Sequence, residues 1–69
     1  MDADDLNNRF TYHPPRGDQT RHYETIRNEA RKFAHLINDR APESREKSLA
    51  ITHLEDAVMW ANAAIARHE

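Results

Sequence analysis

Residues 44–69, SREKSLAITHLEDAVMWANAAIARHE, contain no glycine and no proline, and Pro42 stands just upstream as a start signal. Ile51, Leu54, Val58, Ala61 and Ile65 recur at alternating short steps, the seam of an amphipathic helix. A helix of roughly 24 residues, rising about 1.5 Å per residue, is about 36 Å long. Between Ala57 and Ala66 only Asn62 is polar. The apolar surface therefore runs most of the way round, and one neighbouring helix cannot cover it.

Upstream, Tyr23, Ile26, Ala30, Phe33 and Ile37 repeat with the same periodicity, and Ala34 and Leu36 widen the stripe. This predicts a helix over 20–39, with Asp18 as its N-cap. Its other side carries Glu24, Arg27, Asn28, Arg31, Lys32 and His35. That side reads as a solvated face with pairs such as Asn28–Lys32. Arg27 and Arg31, one turn apart, instead repel each other unless an anion sits between them. The short DRAPE connection at 39–43 makes the two helices antiparallel neighbours, and the second is expected over 43–68. Ser44 is its natural cap; Glu43 and Glu46 suit the start of its dipole, and Arg67 and His68 the end. Arg45, Lys47 and Ser48 are either ordinary surface groups or donors to an anion at this helix start.

The segment RFTYHPPRGDQ, residues 9–19, differs in kind. Two prolines fix φ and hold His13 extended, so it reads as a stiff arm, and Gly17 lets the chain turn into the next helix. Phe10, Tyr12 and His13 stand beside Arg9 and Arg16 there, groups suited to stacking on a base and pairing with phosphate. The aromatics can also pin the arm to the hairpin; the two readings are compatible, with Phe10 as the anchor and Tyr12, through its hydroxyl, as the ligand contact. Residues 1–8, with Asp2, Asp4 and Asp5, are expected to be a disordered acidic N-terminus, or at most a short helical turn.

A chain of 69 residues is one small domain, and such domains are marginal without a staple. There is no cysteine, which removes disulfides and suits a reducing, cytoplasmic setting; no run is long enough to span a membrane, and the acidic start is unlike a signal peptide. Oligomerisation is the staple that also hides the surplus apolar face. Ala50, Ala57, Ala61 and Ala64 form a small-residue strip for close helix approach, and Leu49, Met59 and Trp60 lie partly off the seam. Trp60 has three readings: core, interface anchor or pocket wall. The net charge of −2 gives no global field for a nucleic-acid polymer. From Arg9 to Lys32, however, six basic residues face three acidic ones, a local zone suited to a small anion.

The histidines at 13, 22, 35, 53 and 68 have no metal-ligand spacing, and there is no nucleophile elbow, P-loop or glycine-rich fingerprint. No catalytic residue, metal or cofactor is expected, and a two-helix hairpin offers little enclosed volume for catalysis.

The arm RFTYHPPRGDQ together with SREKSLA (44–50) and EDAVMWANAAIAR (55–67) resembles the phage helical-hairpin family of nucleotide sponges that counter CBASS and Thoeris defences. The resemblance spans about residues 9–68. It implies an all-α fold, an antiparallel two-helix hairpin with an extended N-terminal arm, assembled as a symmetric homo-oligomer, often a hexamer. It implies a binding protein, not an enzyme, that sequesters cyclic di- or trinucleotides or cyclic ADP-ribose isomers in the host cytoplasm, in pockets between protomers. Carried onto this chain, base stacking falls to Tyr12 and then His13, and phosphate pairing to Arg16, Arg27, Arg45 and Arg67. Asn62 either reads a base edge or ribose or makes an interface hydrogen bond. Ala57, Trp60, Ala61 and Ala64 are the expected oligomer interface. The competing expectation is a small module that binds a protein partner through the apolar face of the second helix.

Overall fold

The computed structural model describes residues 2–69, which form three helices and no strand: α1 (Ala3–Phe10), α2 (Gln19–Arg40) and α3 (Arg45–His68). α3 starts where Ser44, in extended backbone, accepts the Lys47 N–H on its hydroxyl at 3.1 Å. That hydroxyl donates in turn to the Pro42 carbonyl at 3.0 Å, fixing the turn out of α2. Ile51, Leu54, Val58, Ala61 and Ile65 are half-buried along the seam, as their spacing predicts. Opposite them on α2 lie Tyr23, Ile26, Ala30, Ala34 and Ile37, also half-buried. Phe33, placed in the stripe from the sequence, is 53% exposed. Residues 33 and 34 fall on either side of the stripe, and it is Ala34 that turns toward α3 and is half-buried.

Because the hairpin is one layer thick, it has no interior. The chain measures 45 × 29 × 12 Å, and the short dimension is the diameter of a single helix. Its radius of gyration is 15.3 Å, against about 11 Å for a globular chain of this length. Among the described residues no apolar side chain is buried, and the two buried residues are polar, Gln19 at 4% and Lys47 at 9% exposure. They sit at opposite ends of the hairpin and clamp it.

Lys47 closes the turn end. Its ammonium donates to the Asn38 carbonyl at 2.9 Å and to the Glu43 carboxylate at 2.6 Å. Lys47 is thus committed to the loop and is not a donor for an anion at the start of α3. The hydrogen bond and charge of Lys47 hold the Glu43 carboxyl below its ordinary range. A depressed folded-state pKa means the contribution is complete above the ordinary carboxylate range and is lost as pH falls through the lowered value. Thermal unfolding followed by circular dichroism should therefore lose stability below that range, and Glu43→Gln should flatten the dependence. An identical acid limb in both proteins would place the titrating group elsewhere.

The N-terminal end departs from expectation. Residues 3–10 form a helix where a disordered acidic tail was read, so the extended arm shortens from 9–19 to 11–18. The acidic residues explain the difference. Asp2 caps the helix by accepting the Asp4 N–H at 3.1 Å, Asp4 and Asp5 lie in the first turn, and Asp5 pairs with Arg9 one turn on at 3.5 Å. All three arrangements oppose fraying. The helix stops at Thr11, and Pro14 and Pro15 prevent its resumption. Gly17, at φ 55°, makes the left-handed turn that leads into α2.

Candidate ligand groove and arm

Three clusters emerge from the candidate residues, and one chain does not join them into a single site. The first is the arm. Tyr12 is 80% and Phe10 83% exposed, so neither aromatic pins the arm to the hairpin in the single chain. His13 turns back instead, its Nε2–H donating to the Asn8 carbonyl at the end of α1 at 3.0 Å. Arg16 donates its guanidinium to the Glu69 carbonyl oxygen at 2.7 Å, tying the arm to the end of α3. Arg67 belongs to that same last turn and is half-buried.

The arm also meets the hairpin through Gln19, a residue the sequence reading passed over. Its side-chain carbonyl accepts the Arg16 N–H at 2.9 Å, and its amide donates to the Ile65 carbonyl at 3.3 Å. Asp18, read as the N-cap of α2, makes no side-chain cap bond. Its carboxylate lies 3.3 Å from His22 Nε2, and Glu69 approaches the same nitrogen at 3.9 Å. When protonated, His22 is therefore bridged by two carboxylates. Spacing alone pointed to no metal set. These three residues nevertheless form a group close enough to share a cation, each offering one ligand atom within 4.8 Å of the others. Both carboxylates face solvent, and the group reads as an ion-pair knot at the arm's root.

The second cluster lies midway along the hairpin, in an open groove of about 640 Å³ between α2 and α3. A volume of this order suits a small ligand. Arg27 and Arg31 line one wall, Glu55 and Asp56 the other, and Met59 and Asn62 complete it. Among the described residues neither arginine makes an ion pair; Lys32 pairs with Glu29 at 3.3 Å, not with Asn28. The Asn62 side-chain carbonyl oxygen is buried without a hydrogen-bond partner. The groove thus holds a buried acceptor without a hydrogen-bond partner and, on its two walls, two arginines and two carboxylates, so it can receive a group that brings a donor.

Arg45 is the third element, exposed at the first residue of α3. It stands about 33 Å along the helix from Arg67, so no small ligand bound to one chain touches both. Of the expected interface residues, Ala57 and Ala64 are exposed and Trp60 is 62% exposed, whereas Ala61 is half-buried on the seam with α2.

The family model described as Acb2/Tad1, hairpin domain, matches residues 2–66. The chain belongs to this family. It is the family of anti-CBASS and anti-Thoeris sponges, made of binding domains and not a recognised enzyme family. No curated protein and no solved structure matches the chain. Because the match begins at residue 2, it takes in α1, which the sequence resemblance had left outside the Acb2/Tad1 domain. No helix of the described residues is long and apolar enough to cross a membrane.

Proposed function

We propose that this Acb2/Tad1 hairpin is a phage-encoded sponge that sequesters cyclic nucleotide immune signals in the host cytoplasm without cleaving them. The ligands are cyclic di- or trinucleotides or cyclic ADP-ribose isomers. The observation that carries this reading is the groove, where Asn62 offers an orphaned acceptor beside unpaired Arg27 and Arg31. A cyclic nucleotide supplies the missing complements: exocyclic amines or ribose hydroxyls as donors and phosphates as anions. In this reading Tyr12, whose ring is exposed on the arm, stacks on a base.

The working unit in this reading is a symmetric homo-oligomer, with a hexamer as the expected form. Trp60 is too exposed for a stable isolated domain, and packing copies through the Ala57, Ala61 and Ala64 strip covers it. Assembly also brings the arm of one protomer, the groove of another and Arg45 or Arg67 within reach of one ligand. Function is then mass action: an abundant protein with nanomolar affinity, about −12 kcal/mol, and slow release keeps free signal below the effector's threshold.

A thermal-shift screen against cyclic dinucleotides, cyclic trinucleotides and cyclic ADP-ribose isomers tests this. At 100 times its dissociation constant a ligand adds about 2.7 kcal/mol per site, and each kcal/mol is worth about 4–8 °C in a domain this small. A large shift with one class is expected. The exposure of Trp60 and Met59 also suits a second reading, a module that binds a protein partner through α3. A monomeric protein with no shift for any of the three classes favours that reading.

A further inference from the structure

We infer that Gln19 is a positioning residue that holds the arm in its binding-ready place on the hairpin; this rests on the reading of Tyr12 as a ligand contact. Gln19 is the less exposed of the two buried residues, at 4%, yet its side chain ends in a polar amide. Both ends of its amide are engaged in opposite directions. The oxygen takes the Arg16 N–H at 2.9 Å from the arm, and the nitrogen gives to the Ile65 carbonyl at 3.3 Å in the last turn of α3. One side chain thus joins three segments: the arm, the first residue of α2 and the end of α3.

The remaining arm contacts are weaker substitutes for it. The Arg16–Glu69 hydrogen bond is solvent-exposed, and the Asp18–His22–Glu69 knot is roughly half in solvent, so water competes for both. Of the side-chain hydrogen bonds that tie the arm to the hairpin, only the Gln19 pair is partly buried. An arm whose register is set before the ligand arrives pays less ordering entropy on binding, whereas a free arm must be ordered at that moment. Gln19 therefore acts on affinity through Tyr12, four residues beyond its anchor at Arg16, without touching ligand.

The test uses the full chain labelled with 15N. Gln19→Met keeps the length of the side chain and removes both hydrogen bonds. The Arg16 amide should exchange with solvent at least about tenfold faster, and the 12–16 backbone should become mobile on the fast timescale. Amides in the middle of α2 and α3 should keep their protection. Equal loss of protection in the arm and in both helices would reduce Gln19 to a general stabiliser and overturn the inference, as would an unchanged Arg16 amide.

Gln19→Glu supplies a rescue that a space-filling role cannot. Ionised, it accepts from Arg16 but repels the Ile65 carbonyl; protonated, one oxygen accepts while the other's O–H donates, as in the native amide. The exchange of the Arg16 amide, normalised to wild type at each pH, should therefore return toward wild type as the medium is acidified from pH 7 to about 5. A pH-independent ratio contradicts the assignment. Titration of cyclic di-AMP, cyclic tri-AMP and cyclic ADP-ribose into wild type, Tyr12→Ala and Gln19→Met separates the two levels. Affinity lost in both variants supports the inference. Affinity lost in Tyr12→Ala alone overturns it. No loss in Tyr12→Ala overturns the arm-contact reading beneath it, while the exchange data still decide whether Gln19 holds the arm.

Discussion

Ala57→Glu should reduce the proposed homo-oligomer to single chains of 8.1 kDa while leaving the helices intact. Ala57 is exposed on the hairpin's outer face, near Trp60 and within the small-residue strip of α3. In a lone chain the new carboxylate stays in water, and glutamate is a strong helix former, so circular dichroism should barely change. Across a close helix interface the same carboxylate is buried without a partner, a penalty of roughly 3–5 kcal/mol and a factor above a hundred in association. Light scattering after size exclusion reads the mass directly. Ala61→Glu is the harsher variant, because Ala61 also lies on the α2–α3 seam and its replacement strains the hairpin itself. An unchanged mass for Ala57→Glu would move the interface to another face, such as the apolar patch of Phe33, Leu36 and Ile37 on α2.

Arg27→Ala should weaken cyclic nucleotide binding roughly tenfold to a hundredfold, as expected for the loss of a charge-assisted hydrogen bond worth about 1.5–3 kcal/mol. Its effect on the free protein should be nil or slightly stabilising. Arg27 is exposed and forms no ion pair among the described residues, and Arg31 one turn away repels it by a few tenths of a kcal/mol. Lower affinity with a flat or higher melting temperature marks a group kept for a ligand. Calorimetric titration beside a melting curve gives both readings. Unchanged affinity would remove the groove from the site and leave the arm and the end of α3 as its remaining parts.

The seam of α3 was legible because Ile51, Leu54, Val58, Ala61 and Ile65 have no competing reading at helical period. The surplus apolar surface was legible for the same reason, and Trp60 and Met59 stand exposed as that surplus requires. On α2 the periodicity left Phe33 and Ala34 nearly equivalent. Which of the two turns toward α3 depends on how the pair of helices is rotated, and it is Ala34 that is half-buried. α1 was missed because three aspartates in the first five residues look like a solvated tail, whereas their positions relative to the helix start make them cap and dipole partners. Asp18 is the converse, a good cap by residue type that faces His22 instead.

The binding residues were harder to read for a physical reason. Helix period assigns a side chain to a face but does not say which end of an antiparallel partner, or which neighbouring copy, lies opposite. Tyr12, Asn62 and Arg45 were each credible ligands in sequence, and in one chain they occupy the arm, the mid-hairpin groove and the turn end. Gln19 carries almost no sequence signal. A glutamine three residues after an arginine is common, and its role depends on the Ile65 carbonyl, which folding brings to it from the far end of the chain.

Capture without conversion is tested most directly by one measurement. The purified protein is incubated with a cyclic dinucleotide, a cyclic trinucleotide and a cyclic ADP-ribose in turn, freed of unbound ligand and then heat-denatured. The released material is quantified by chromatography. One class should be retained in fixed stoichiometry with the protein and recovered chemically intact. Retention of none of the three, or recovery of linear or hydrolysed product, would contradict the sponge.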